Sequence, residues 1–351
     1  MMKRWWLVIR SLMVVFWVIL FWSFLYLPRL KNVFPQERSI AILAWPTAVD
    51  ASVLRAFEKE TGIKVYVNYF EDYEEFFVKL KTARGEGYDL ITPADYIVPA
   101  LIEDGLLKPI DKTKLPFWSA LRKDITGLYY DRNNTYAIPY FWGIYGIGYD
   151  KRYFVGVEPD PTWGLVFDPA LMPKHIGMLD DARETILIAS QYLFGAVKTL
   201  DASQIARVKE LLLMQKKQVL AYTDMRAASL LISGGCPVVL TLGYEVARAI
   251  RAYPHIGFLI PREGSFLLVD NFSIPSSSAK EELVYQLLAF LYRPENLKHL
   301  VEKHLFYPPT VEVEPSPYLP LPSQEQLARA DFFRNIVSKE SINDIWISLK
   351  A

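Results

Sequence analysis

The chain has 351 residues, enough for two core-forming lobes at about 100–200 residues per domain. Its formal charge is zero, but five of the 39 basic residues (Lys3, Arg4, Arg10, Arg29, Lys31) and none of the 39 acidic ones fall in the first 31 positions, so the remainder carries a net charge of −5. An acidic body argues against nucleic acid or phosphate as partner and tolerates a cation, while a lone cysteine, Cys236, excludes an intrachain disulfide framework.

Lys3, Arg4 and Arg10 precede an uncharged, largely apolar run from Ser11 to Leu27, the order that exports a chain or anchors it with its start in the cytoplasm. The run is long for a signal peptide and at the short limit of a membrane span. No clear small-x-small cleavage site follows, and no cysteine is there to be lipidated. The expectation over residues 1–30 is therefore an uncleaved signal-anchor helix in preference to a cleaved signal peptide. The rest of the chain then lies outside the inner membrane, periplasmic and held there by residues 11–27. Residues 31–38 read as a linker.

From Ser39 the pattern alternates strand and helix: Ile40–Ala44, Ala51–Glu60, Ile63–Tyr69, Tyr73–Ala83 and Tyr88–Thr92. The helix that stops at Gly62 and turns into a β-branched strand is α/β grammar. Such sheets bind ligands beyond the carboxyl ends of their strands, where Trp45 and Tyr96 fall; either ring could equally belong to the core. The apolar, aromatic run Ala137–Asp150 carries Gly143, Gly146 and Gly148 and suits a hinge strand crossing between lobes. Helical spacing is predicted at Ala202–Gln215 and Ala279–Tyr292, strands at Val238–Leu242 and Ile256–Pro261, and a second crossing at Phe266–Pro275.

Asp180-Asp181-Ala182-Arg183-Glu184 sets carboxylates at the start of a helix. Residues three apart share a helix face, so Asp181 and Glu184 could hold one cation together; Asp-x-x-Glu is equally the spacing of a capping box. Asp270 beside Asn271 fits either a site or an ordinary turn, and Asp95 is an unassigned acid next to Tyr96. Nothing advertises catalysis. Among His175, His255, His299 and His304 only the last two are spaced like half a zinc site, with no cysteine pair to complete it, so no metal, cofactor or enzyme activity is expected. Gly146-Ile147-Gly148 begins like a dinucleotide loop but has Lys151 where the third glycine belongs.

In this order and spacing, Trp45, Phe57–Val65, Tyr88–Tyr96, Leu106–Leu115, Ile138–Tyr149, Trp163, Asp180–Glu184, Asp270 with Ile274-Pro275, and Tyr307-Pro308 give the chain a likeness that spans nearly everything after Ser39. It resembles the spermidine/putrescine-binding periplasmic proteins of ABC transporters. The resemblance implies an α/β, two-lobed periplasmic-binding-protein fold of type II with hinge crossings. Residues 39–145 plus 270–311 would form lobe 1 and residues 146–269 plus 312–351 lobe 2.

The resemblance further implies a polyamine ligand, an ABC permease in the inner membrane as partner, and a site of Asp181, Glu184 and Asp270 with Trp45, Tyr96 and Tyr307. That pairing suits a polyamine, whose ammonium groups need charge-assisted hydrogen bonds and whose methylenes need aromatic cover. Two departures bear on the ligand. Where the family commonly places two more tryptophans this chain has Leu240 and Leu268, each lost face being worth about 0.5–2 kcal/mol. Arg334 falls in the region where a glutamine is expected, and a cleft arginine would repel a polyamine. A tethered sensor or a binding protein of the same fold for another small solute is the alternative these departures leave open.

Overall fold

The computed structural model describes residues 13–18, 21, 38–71, 73–82, 86–196, 198–223 and 226–351. Among these no helix is long and apolar enough to cross a membrane. The expected anchor over 11–27 and linker over 31–38 lie largely outside the described residues.

The first sheet has the order β2-β1-β3, all parallel, from β1 (Ser39–Ala44), β2 (Lys64–Tyr69) and β3 (Leu90–Ile91). The first crossover helix, α1 (Ala51–Thr61), shows why this sequence folds so. The Asp50 side chain accepts from the backbone N–H groups of Ser52 and Val53, and Gly62 ends the helix in the left-handed region at φ 70°, which favours glycine. Helix α2 (Tyr73–Thr82) follows β2.

The second sheet runs β10-β9-β4-β7-β5-β6, with β8 also paired to β4. Its strands are β4 (Ile138–Asp150), β5 (Ile176–Met178), β6 (Val219–Tyr222), β7 (Val238–Leu242), β8 (Ile256–Leu259), β9 (Ser265–Phe272) and β10 (Ala330–Phe332). β4 is buried along all thirteen residues and changes partners midway. Residues 138–144 pair with β9, and Tyr145–Asp150 pair with β7 and β8. Isolated bridges Ile91↔Ser273 and Ala94↔Asp270 tie the edge of the first sheet to β9. β4 and β9 are thus the two crossings between lobes.

The glycines of β4 provide room at close approaches. A methyl group on Gly146 would meet the Leu259 carbonyl at 2.4 Å, and one on Gly148 would meet Leu231 at 2.8 Å. The Gly146-Ile147-Gly148 run is strand, not a phosphate loop.

Helices α3 (Ala182–Phe194) and α4 (Ala202–Gln215) pack on each other, and α5 (Gly243–Ala252) packs on β4, β7 and β8; α6 (Glu281–Leu291) packs on α1 and β1 with α7 (Pro294–His304) beside it; α8 (Lys339–Lys350) packs on α3 and α4. Phe57, Val284, Leu288 and Leu297 join Ile40 and Ile42 in one core, while Leu187, Leu212 and Ile345 join Ile176 and Val238 in another. Each such burial stabilises by about 1.5–3 kcal/mol.

Candidate ligand-binding cleft

A cavity of about 190 Å³ lies where the two lobes meet the crossings. The first lobe contributes Trp45, Pro46, Thr47 and Ala48 just beyond β1, with Glu71, Tyr96 and Phe306; the crossings contribute Phe141, Tyr145, Leu268 and Asp270; the second lobe contributes Leu179–Asp181, Glu184, Thr241, Leu242, Tyr244 and Glu245. The position obeys the strand-end rule for α/β sheets. Six lining side chains are acids (Glu71, Asp180, Asp181, Glu184, Glu245, Asp270) and six are aromatic (Trp45, Tyr96, Phe141, Tyr145, Tyr244, Phe306). Among the described residues no lysine, arginine or histidine lines it.

The acids are held by different means. Asp181 caps α3, its Oδ1 accepting from the Glu184 backbone N–H at 2.8 Å. That is one half of the expected box, and Asp181 also lines the cavity. Burial pushes its carboxyl up, against the backbone hydrogen bonds from Glu184 and Arg183 and the Arg183 charge. Glu184, nearly buried, takes a hydrogen bond from the Tyr145 hydroxyl. Asp180 pairs with Lys350 at the C-terminal end of α8. Asp270 is the least compensated: its Oδ1 is shut off from water with no hydrogen-bond partner, and burial pushes its pKa up to about 7. Thr241 is 1% exposed, and its Oγ1 likewise has no partner. A ligand carrying N–H donors would satisfy both oxygens.

Trp45 is half-buried with its backbone N–H on Thr92 Oγ1 at 3.2 Å and its ring 4.6 Å from that of Phe70. Tyr96 is nearly buried, with the Arg183 guanidinium 5.7 Å above its ring.

Tyr307 does not reach the cavity. It is fully buried against Trp142, ring centroids 4.6 Å apart, and its hydroxyl donates to the Pro320 carbonyl at 2.5 Å. The bridge Trp142↔Tyr307 turns it to the far face, and its neighbour Phe306 lines the cavity instead.

Leu240 is also core, fully buried on β7, so only Leu268 of the two leucines faces the ligand space. Near the other expected tryptophan stand Leu242 and Tyr244, the latter's ring against Phe306 at 5.0 Å and seated over Gly143. Tyr244 and Glu245 had a readable signal that sequence reasoning passed over: they follow a strand that ends at Leu242. Arg334 lies outside the cavity, its guanidinium 5.0 Å above the Tyr129 ring and 3.4 Å from the Asp331 carboxylate.

His299 and His304 serve a structural cluster. Both approach the Asp50 carboxylate, which Lys303 also contacts at 2.6 Å. Among the described residues no group of three or more His, Cys, Asp and Glu could hold a metal. Cys236 is fully buried and burial pushes its thiol up to about 11, the opposite of nucleophile activation.

Two lobes on paired crossing strands with a solute-sized cavity between them define a solute-binding protein. A family model of the bacterial extracellular solute-binding proteins matches residues 52–320. The spermidine/putrescine-binding periplasmic protein 1 of Haemophilus influenzae is 30% identical over 311 residues, 87% of this chain and 85% of that protein. The spermidine/putrescine-binding periplasmic protein of Escherichia coli is 31% identical over 261 residues, 74% of each. The solved spermidine/putrescine ABC transporter substrate-binding protein of Streptococcus pneumoniae shares the fold, with a TM-score of 0.77 at 23% identity, over 89% of this chain and 98% of that one. The chain belongs to the spermidine/putrescine-binding family of bacterial extracellular solute-binding proteins, which are not enzymes.

Proposed function

We propose that this protein is the extracytoplasmic solute-binding subunit of an ABC uptake transporter and that it captures a polyamine, spermidine or putrescine, for delivery to an inner-membrane permease. The observation that carries this reading is the lining itself: six acids and six aromatic rings with no basic side chain. Carboxylates answer ammonium groups, and rings cover methylenes while attracting the cations. The proposed contacts are Trp45, Tyr96, Asp181, Glu184 and Asp270, as the resemblance implied, with Phe306 in place of Tyr307 and with Thr241, Tyr244 and Glu245 added.

The lobes are taken as residues 39–145 with 270–311 and residues 146–269 with 312–351. A diamine reaching Asp270 on a crossing and Asp181 or Glu184 on the second lobe favours the closed arrangement, so ligand shifts a hinge equilibrium by its differential affinity for the two states. The permease then reads the closed form. Isothermal titration with putrescine and spermidine tests this, with saturable one-to-one binding expected. A chain that binds neither but takes up another solute is the second reading, favoured by Leu268 where an aromatic face is expected.

A further inference from the structure

We infer that ligand capture exchanges an ammonium for a proton at the Asp270 carboxyl, with Asp95 on the neighbouring segment staying neutral. The inference rests on the polyamine reading and deepens it. Backbone pairing sets the two acids on adjacent segments, with the Asp270 side chain on the Ala94 face toward the cavity and the Asp95 side chain on the opposite, Val269 face. Residues 93–95 run antiparallel beside β9: the Asn271 N–H donates to the Pro93 carbonyl at 3.0 Å, Ala94 bridges Asp270, and the Asp95 N–H donates to the Val269 carbonyl at 2.9 Å. Asp95 is fully buried, and its Oδ1 accepts from the Tyr96 N–H at 2.9 Å. Its Oδ2, like Oδ1 of Asp270, is out of contact with water and has no partner.

The groups facing the two acids supply no counter-charge. Tyr129 and Tyr130 stand against Asp95, and burial pushes both phenols up, so they stay neutral; the Tyr130 hydroxyl donates to Asn271 Oδ1 at 2.9 Å. The nearby guanidiniums are spent elsewhere. Arg334 lies over Tyr129 and against Asp331, and Arg183 lies over Tyr96. On the cavity side stand Asp181 and Glu184, which are themselves acids. No histidine lines the cavity among the described residues; His304, stacked on Phe306, is engaged with Asp50.

A carboxyl in such a place does not ionise readily without a cation. Burial raises Asp270 to about 7 and pushes Asp95 well up, with the Asp270 charge adding to the effect on Asp95. An ammonium entering beside Asp270 is the missing counter-ion. The carboxylic O–H breaks, its proton leaves to the buffer, and an N–H···O contact to the carboxylate forms. The ligand keeps its own protons, since a primary ammonium ionises near pH 10, roughly as lysine does.

Calorimetric titration of the wild type with putrescine at pH 6, 7 and 8, each in two buffers of different ionisation heat, tests the exchange. With Asp270 at about 7, roughly half a proton should be released per ligand at pH 7 and most of one at pH 6, and affinity should weaken roughly tenfold from pH 8 to pH 6. Asp270→Asn should bind more weakly and lose the release. Asp95→Asn, neutral and of the same shape, should keep both release and affinity within about twofold. Binding whose heat is the same in both buffers and whose affinity ignores pH overturns the exchange, as does a more than tenfold loss in Asp95→Asn, which would make Asp95 an anion. Absence of putrescine binding in the wild type is a different failure: it removes the polyamine reading and this inference with it.

Discussion

Asp181 holds two jobs that substitution can separate. Its Oδ1 caps α3 through the Glu184 N–H at 2.8 Å, and the residue also lines the cavity. Asparagine caps about as well as aspartate, whereas alanine loses a cap worth about 0.5–2 kcal/mol. Asp181→Asn should therefore leave the melting curve of the empty protein nearly unchanged, and Asp181→Ala should lower stability by about 1 kcal/mol. Both remove the negative charge from a partly dry site, where a hydrogen bond to a charged group contributes about 1.5–3 kcal/mol, or about 10- to 150-fold in affinity. The assay is putrescine titration beside thermal unfolding for the wild type and both variants. An Asp181→Asn variant with wild-type affinity would remove Asp181 from the site, and an Asp181→Ala variant with wild-type stability would refute the cap.

Tyr307→Phe should cost about 1 kcal/mol by removing the hydroxyl's hydrogen bond to the half-buried Pro320 carbonyl, yet leave ligand affinity alone; a calorimetric loss of affinity would return Tyr307 to the site. Gly146→Ala drives a methyl against the Leu259 carbonyl, which cannot yield without parting β4 from β8, so denaturant unfolding should show a loss of about 1–3 kcal/mol or more. Gly143→Ala first meets side chains, the Tyr244 ring at 2.8 Å and Leu242 at 3.1 Å; it should shift that ring and change affinity more than stability, and equal stability losses in the two variants would contradict this. Asp270→Asn should trade function for stability. A carboxyl raised to about 7 in the folded state, from an ordinary value near 3.8, favours folding fully below about pH 4, and that contribution is lost as pH rises through 7. The empty variant should thus exceed the empty wild type by up to about 4 kcal/mol at pH 8, with the gap shrinking as pH falls from about 7 to about 4; a pH-independent gap would disprove the burial of that charge.

The fold was legible where the local signals were strong. Asp50 and Gly62 bracket α1, the aromatic run ending at Asp150 is the crossing β4, and the helix expected near Ala202–Gln215 is α4. α7 was not assigned, although Pro294 is a helix-starting proline at its first position. The candidate site was legible in the acids that the resemblance named, since Asp181, Glu184 and Asp270 all line the cavity. It was less legible in its rings, because one residue along a strand reverses the face: Phe306 looks into the cavity while Tyr307 looks away, and Leu240 is core while Thr241 lines the cavity. Nor could the sequence show that Arg334 would settle over Tyr129, which follows from how β10 pairs with β9, or that Asp95 would be buried, which follows from how residues 93–95 run beside β9.

The most direct test of the account is a calorimetric titration of the purified protein with putrescine, spermidine and an uncharged diol of matching length, at low and high salt. Saturable one-to-one binding of the amines is expected, weakened modestly by salt because the acids are partly buried, with no binding of the diol. Equal binding of diol and diamine, or binding of an anion in their place, would contradict the claim that this cleft recognises ammonium groups.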